Sequence, residues 1–328
     1  MPFRDVVGHR RQLALLAGAV RRESVPATLL FAGPAGVGKW RVAVALAQAV
    51  NCQAVEAGDA CGACRSCDRI ARDVHVDVIA LAPDDAGSIK IDPVRDALST
   101  TGLRPFEGQR RVVAVRDADA LSESAQNALL KSLEEPPPAT MFVLTSSAPD
   151  ALLRTVRSRT MRLAFGRLAA EDLVRVLVRA HGQTPDRAQR AAILADGSVG
   201  AALALGSADL SASRARATRL LGAAALGDVT ARLAVARDVI GKPELTRQEL
   251  AAVLRVASSL TRDLAIVHAG ADRGTLANGD AADVVERLAA QVPAPAARRA
   301  FATIDRGLVA LERNAATKLV AEWIAVEI

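Results

Sequence analysis

Tyrosine is absent from the 328 residues, and six Phe and two Trp leave aromatics at only 2%. The interior must then be built from Ala, Val and Leu, which favours helices packed through small and branched aliphatic side chains. No apolar run approaches the roughly 20 residues that a membrane-spanning helix requires. Met1-Pro2-Phe3-Arg4-Asp5 opens polar, and no apolar core leads to a small-residue cleavage site. A soluble, cytoplasmic chain without membrane contact is expected. Charge of one sign is also modest: 42 Lys+Arg against 36 Asp+Glu gives +6, with a pI near 9.7. That excess permits contact with nucleic acid or an acidic protein, and a solvated basic surface accounts for it equally well. What is abundant is apolar: 51% hydrophobic residues over a length that calls for two or three domains rather than one.

Cysteine is scarce, and its placement is informative. All four lie in one stretch, as Cys52-x8-Cys61-x2-Cys64-x2-Cys67. Thiolates two residues apart can share one tetrahedral ion, and four of them close a structural zinc site with no open position for catalysis. Gly58 and Gly62 supply turns for such a knuckle. An iron–sulfur cluster takes the same four ligands, and paired disulfides remain a third reading, disfavoured in the cytosol.

Residues 33–40 read Gly-Pro-Ala-Gly-Val-Gly-Lys-Trp, a phosphate-binding loop complete except at its end. In the pattern G-x-x-x-x-G-K-[ST], backbone N–H groups and the Lys hold phosphates and the hydroxyl holds Mg²⁺. Trp40 stands in place of that hydroxyl, and an indole offers no oxygen to a hard cation. Leu29–Ala32 is a short apolar strand before the loop, and Val42–Ala47 continues as a helix after it, the context the motif needs. Gly33, Gly36, Gly38 and Lys39 are thus candidate phosphate-binding residues in a degenerate site. Lys39 either meets a phosphate still or fills a pocket, and Trp40 either marks the loss of the metal ligand or is a large side chain on the first helical turn that packs against the domain.

Further along, Val76–Leu81, Arg111–Val115 and Met141–Thr145 read as strands, and Asp92–Leu103 and Ser122–Glu135 as helices, the second stopped by Pro136-Pro137-Pro138. Strands alternating with helices over residues 1–166 imply a doubly wound, mostly parallel sheet. From Leu168 the pattern is helical only, with a turn at Asp196-Gly197-Ser198 and breaks near Gly241-Lys242-Pro243 and Val292-Pro293-Ala294-Pro295. Arg95, Arg104, Arg110 and Arg111 are candidates for contact with DNA backbone phosphates, a solvated face being the competing reading for each.

Taken together these segments resemble the AAA+ clamp-loader subunits of bacterial DNA polymerase III over nearly the whole chain. Phe3-Arg4-Asp5-Val6-Val7-Gly8-His9 is similar to that family's N-terminal nucleotide-base box, and the cysteine module sits where the family inserts its zinc module. Ala125-Gln126-Asn127-Ala128-Leu129-Leu130-Lys131-Ser132-Leu133-Glu134-Glu135-Pro136-Pro137 is close to a family signature. Ser158-Arg159-Thr160 resembles its Ser-Arg-Cys motif, with Thr160 departing from Cys, and Leu311-Glu312-Arg313-Asn314 with Lys318-Leu319 resembles its collar.

The resemblance implies an α/β AAA+ P-loop domain over residues 1–167 with a zinc module at about 51–68, a small helical lid over 168–207 and an all-α collar over 208–328. It also implies a division of labour. Motor subunits carry Asp-Glu where this chain has Arg116 and Asp117, and an Arg in a Gly-Ser-x-Arg turn where it has Gly197-Ser198-Val199-Gly200. Losing the metal hydroxyl, the metal-side carboxylate and the sensor cation together implies a subunit that neither binds nor hydrolyses ATP and has no polymerase activity. Arg159 would then act in trans, as an arginine finger on the nucleotide of a neighbouring motor subunit. The implied partners are gamma/tau-type and delta-type subunits through the collar and the Arg159 face, the sliding clamp, and primer–template DNA through its phosphates. Read from residues alone, an active ATPase that tolerates Trp40 and a zinc-dependent nucleic-acid-binding regulator stay open, as does an Arg159 paired within its own domain.

Overall fold

The computed structural model describes residues 1–207, 209–225, 228–239, 246–312 and 315–328. The expected break at Gly241-Lys242-Pro243, and Arg313 and Asn314 of the collar resemblance, lie outside the described residues. The chain forms two compact units, Met1–Asp172 and Leu173–Ile328.

In the first unit the strands are near-continuous apolar runs because both of their faces are covered. β1 (Thr28–Ala32), β2 (Val78–Leu81), β3 (Arg111–Val115), β4 (Thr140–Ser146) and β5 (Met161–Ala164) pair in the order β2-β3-β4-β1-β5. Every pairing is parallel. Alternate residues leave opposite faces. Leu29, Phe31, Val112, Met141 and Val143 enter one core, shared with α1 (Arg10–Arg21), α2 (Lys39–Asn51) and α3 (Arg65–Ala71). Leu30, Val113, Val115, Phe142 and Leu144 enter the other, roofed by α4 (Ile91–Thr101), α5 (Glu123–Glu134) and α6 (Arg154–Ser158). The parallel α/β reading of residues 1–166 is met. β5 escapes sequence reading: its Met-Arg-Leu-Ala is mostly exposed at the sheet edge and carries no apolar run.

β2 begins two residues later than its apolar run suggests, and the cause is a buried carboxylate. Asp77 is wholly buried and accepts backbone N–H groups from Phe106, Glu107 and Gly108 at 2.8, 2.8 and 2.9 Å. The Arg111 guanidinium donates to it at 2.9 Å. The same guanidinium donates to the carbonyls of Thr100, Leu103 and Arg104 where α4 ends. Arg111 therefore caps a helix and neutralises a buried acid, and it is excluded as a contact for DNA phosphates. Arg95 and Arg104 are exposed, and Arg110 is half-buried with its guanidinium 3.4 Å from the Val25 carbonyl.

The second unit holds only helices among its described residues: α7 (Ala170–His181, whose first residues belong to the first unit), α8 (Pro185–Leu194), α9 (Val199–Ser207), α10 (Leu210–Ala223), α11 (Val229–Val239), α12 (Arg247–His268), α13 (Ala282–Gln291), α14 (Ala294–Glu312) and α15 (Thr317–Glu327). α12 is its axis, packed by α8, α9, α10, α13, α14 and α15. Its start is set by a capping box, Thr246 with Glu249. Its interior carries a buried Asp263, which accepts from the backbone of Ala277 and Asn278 at 2.9 and 2.8 Å and from the Asn278 amide at 2.7 Å.

The three backbone donors and Arg111 outweigh the opposing effect of burial and take Asp77 from its ordinary 3.8 down to about 2. A carboxyl depressed on folding adds stability above pH 4 that is lost as pH falls through about 2, here about 2 kcal/mol. Denaturant midpoints measured between pH 5 and pH 2 should therefore decline in the parent. Asp77→Ala should cost about 3–5 kcal/mol, by leaving a buried guanidinium unpaired, and should flatten that decline.

Candidate metal centre and phosphate loop

The four cysteines converge because Cys52 caps the C-terminal end of α2 and leads into a loop that returns to α3. The four Sγ atoms lie within 4.8 Å of one another, with Cys52 and Cys64 at 4.0 Å. A tetrahedral ion with Zn–S bonds of 2.3 Å needs sulfurs about 3.8 Å apart, so the donor set suits such an ion with a contraction of at most about 1 Å. Backbone N–H groups aim at the sulfurs: Ala54 and Cys61 at Cys52 (3.4 and 3.2 Å), Cys64 at Cys61 (3.2 Å) and Cys67 at Cys64 (3.5 Å). Such donors stabilise thiolate. The N–H groups of Ala63 and Cys64 bring Cys61 down to about 6. Burial acts to raise Cys64, yet the donors from Cys67 and Gln53 hold it below the usual thiol range. Burial pushes Cys52 and Cys67 up.

Groups that spacing rules do not find hold this module in place. Gln48 on α2 donates to the Cys67 carbonyl at 2.7 Å, and the terminal amine donates to Gln48 at 2.7 Å. Asp59 accepts from the Phe3 backbone at 2.7 Å, and Arg4 donates to the carbonyls of Ala60 and Cys61 at 2.7 and 2.8 Å. Gly58 has φ +83°, and a Cβ there would meet the Ala17 carbonyl at 2.0 Å. On its far side α3 joins the loop before β3. Arg69 pairs with Glu107 at 2.8 Å, and Ser66 lies 3.1 Å from His75 Nε2. His75 Nδ1 accepts from the Asp77 backbone at 3.1 Å, which places a proton on Nε2, and burial lowers the ring's pKa against the pull of Glu107 and Asp77.

The phosphate loop runs between β1 and α2. Gly33 is required by close approach, since a Cβ would lie 2.2 Å from the Phe165 carbonyl. Lys39 is buried, and its Nζ donates to the carbonyls of Gly33 and Pro34 at 2.8 and 2.7 Å. Two of its three donors are thus spent on the loop itself. Trp40 is half-buried and packs against the core beneath α2. At the end of β3, the exposed Arg116 guanidinium sits 3.6 Å from the Asp117 carboxylate. Burial raises Asp117, with Arg116 opposing, Asp119 adding and Lys39 opposing. Asp119, which the motif reading passes over, accepts from the Ser147 backbone at 3.0 Å.

Arg159 follows α6 and is about one-third exposed. Its Nε and Nη2 donate to Glu134 at 2.9 and 2.7 Å, and Nη1 to the Thr155 carbonyl at 3.3 Å. The pairing within its own domain, one of the two sequence readings, is the geometry of the isolated chain. Thr160, in place of the motif's Cys, donates its hydroxyl to the carbonyls of Val156 and Arg157, each at 3.2 Å. In the second unit, Ser198 caps α9, accepting from Ala201 N–H at 3.2 Å.

Residues 8–169 match the family model described as DNA polymerase III, delta subunit. The DNA polymerase III subunit delta′ of Pseudomonas aeruginosa is 38% identical over 169 residues, covering 51% of this chain and 51% of its own length. Subunit tau of Escherichia coli is 34% identical over 208 residues, covering 62% of this chain and 32% of its own. The chain therefore spans about half of the first relative and a third of the second. A solved gamma-subunit-related protein from Thermotoga maritima aligns with TM-score 0.39 and 15% identity, over 94% of this chain and 97% of that one.

One divalent ion per chain is expected to titrate into the reduced protein, read by competition with a chromophoric chelator. Cys64→Ala should abolish stoichiometric binding. Retention of full affinity by that variant would show that the thiols do not act as one site.

Proposed function

We propose that this chain, a relative of the DNA polymerase III clamp-loader subunits through its first half, is a delta-prime subunit. Its role is that of a stator, which stabilises the loader and lends a cation to a neighbour's chemistry while performing none itself. The observation that carries this reading is the phosphate loop. Lys39 is bonded back onto Gly33 and Pro34, and Trp40 is packed toward the core instead of offering an oxygen. Arg116 and Gly200 stand where a metal-side carboxylate and a sensor arginine would be. Phosphoryl transfer consists mostly of positioning and charge neutralisation, so these losses act together against catalysis in cis.

On this reading, residues 1–167 form the AAA+ domain, 168–207 the lid and 208–328 the collar that joins gamma/tau-type and delta-type subunits. The Cys52, Cys61, Cys64 and Cys67 thiolates hold a structural zinc, which supplies cross-linking of the loop and no reaction step. The chain works in the cytoplasm, with the loader, the sliding clamp and the phosphates of primed DNA. No described helix is long and apolar enough to cross a membrane.

Arg159 is the finger. Its partner Glu134 is more than half exposed, and an ion pair of that kind is worth at most about 1 kcal/mol. Exchanging that carboxylate for the terminal phosphate of a neighbour's nucleotide therefore costs little. The phosphate gains a planar, permanently charged fork.

The purified chain should turn over no ATP. In the reconstituted loader, Arg159→Ala should lower DNA- and clamp-stimulated hydrolysis by at least about a factor of ten while leaving assembly, read by gel filtration, intact. Undiminished hydrolysis in that complex would remove the finger. Hydrolysis by the chain alone that is lost on Lys39→Ala would remove the stator.

A further inference from the structure

A second group of arginines lies close to Arg159 in sequence but is built differently. β5 is one of the two edge strands, and Arg162 is in register with Leu30 of β1, so both side chains leave the same face of the sheet. That face is only partly roofed there, because α6 is five residues long and buries Val156 alone. A cavity of about 360 Å³ opens between α6 and β5, lined by Leu30, Pro149, Arg154, Arg157, Ser158 and Arg162. Arg159 is not among its walls.

Three guanidinium groups and no carboxylate line this cavity. Arg157 reaches Asp150 at 2.6 Å, but Asp150 is 89% exposed and stands outside the lining. The guanidinium groups of Arg154 and Arg162 have no hydrogen-bond or ion-pair partner among the described residues. Arg154 and Arg162 thus lie without counter-charge beside an Arg157 held only by an exposed carboxylate; an anion between them relieves the repulsion while accepting bidentate hydrogen bonds from each planar fork. Leu30 and Pro149 give the cavity an apolar floor. Its volume lies at the small end of the range for small-molecule sites, about 300–1,000 Å³.

We infer that this cavity is a binding site for the terminal polyphosphate of a nucleotide, formed by Arg154, Arg157 and Arg162 and separate from the phosphate loop. Three fixed positive charges match the about three to four negative charges of a nucleoside di- or triphosphate near neutral pH. A phosphodiester presents one charge per unit and cannot fill all three forks from one point. The apolar floor takes the sugar or base. The site belongs to the chain alone and does not depend on any neighbour, so it goes beyond the stator reading and does not rest on it.

Calorimetric titration of the isolated chain, without Mg²⁺, decides the matter, with inorganic triphosphate, ADP and a short oligothymidylate as probes. Triphosphate and ADP should each saturate one site, and Arg154→Gln/Arg162→Gln should weaken both by at least about tenfold. These side chains are exposed, so the fold should survive, as a thermal melt will show. If the double variant is unfolded, the single variants R154Q and R162Q should each give a smaller loss of the same sign. Triphosphate binding that disappears in Lys39→Ala and persists in R154Q/R162Q places the ligand in the phosphate loop and overturns the proposal. So does a lack of binding by the parent, or oligothymidylate binding that depends on Arg154 and Arg162 while triphosphate is ignored. None of these outcomes bears on Arg159, whose role is read in the assembled loader.

Discussion

The first unit depends on one buried charge. Asp77 collects the amides of Phe106, Glu107 and Gly108, and meets Arg111 at the first residue of β3. Arg111 in turn terminates α4. A single carboxylate thus fixes where one strand begins, where a helix ends and how the loop between them is folded. Burying it would be costly without those four partners, and with them the alternative registers of β2 against β3 would strand a charge. Like other buried pairs, it specifies a conformation more than it supplies net stability. Its reach extends to the cysteines: Glu107, held by its backbone, receives Arg69 from α3, and His75 links Ser66 to the Asp77 amide. The cysteine module is therefore docked on the sheet through polar contacts on one side, and through Gln48 and Arg4 on the other.

The phosphate loop is braced by contacts of its own. A loop of that curvature turns some of its carbonyls inward, where they need donors. Lys39 supplies two, turning its ammonium onto the carbonyls of Gly33 and Pro34. Gly33 stays indispensable for a reason unrelated to ligands, the close passage of the Phe165 carbonyl. His9 bonds the Val37 carbonyl at 2.8 Å and stacks edge-on against Phe165, so the loop is braced from outside as well. Gly33 and Lys39 thus have structural roles within the loop itself, beside any role toward a ligand.

Legibility in the sequence follows the same line. Cysteine spacing and the glycine-lysine loop are local patterns with few physical solutions, and both could be read directly. The strands of the sheet interior were legible because burial on two faces leaves an apolar run. β5 was not, since its four residues are mostly exposed and Arg162 interrupts the apolar run. Arg111 is not legible for a related reason: a charged residue at the head of a strand looks available to DNA or solvent until its partner, distant in sequence at Asp77, is known. Gln48, Asp59 and Asp119 carry no motif, and their roles exist only through contacts between distant segments. Arg154 and Arg162 were invisible because what distinguishes them is the lack of a partner, which only a folded chain can display.

The segment from Arg154 to Arg162 therefore holds cations in two states. Arg159 is neutralised by Glu134 and by the Thr155 carbonyl, so its charge is held in reserve, available to whatever anion can outcompete an exposed carboxylate. Arg154 and Arg162 are uncompensated, and their field acts on solvent continuously. A long-lived unpaired cation favours capture of mobile anions, whereas a paired one favours discrimination, because only a ligand of higher charge and better geometry displaces the carboxylate. Two such arrangements on nine residues are not redundant. The turn that carries Arg159 out of α6 is the one that brings Arg162 back under it along β5, so one short piece of chain presents a conditional cation on one side and a permanent cationic cavity on the other.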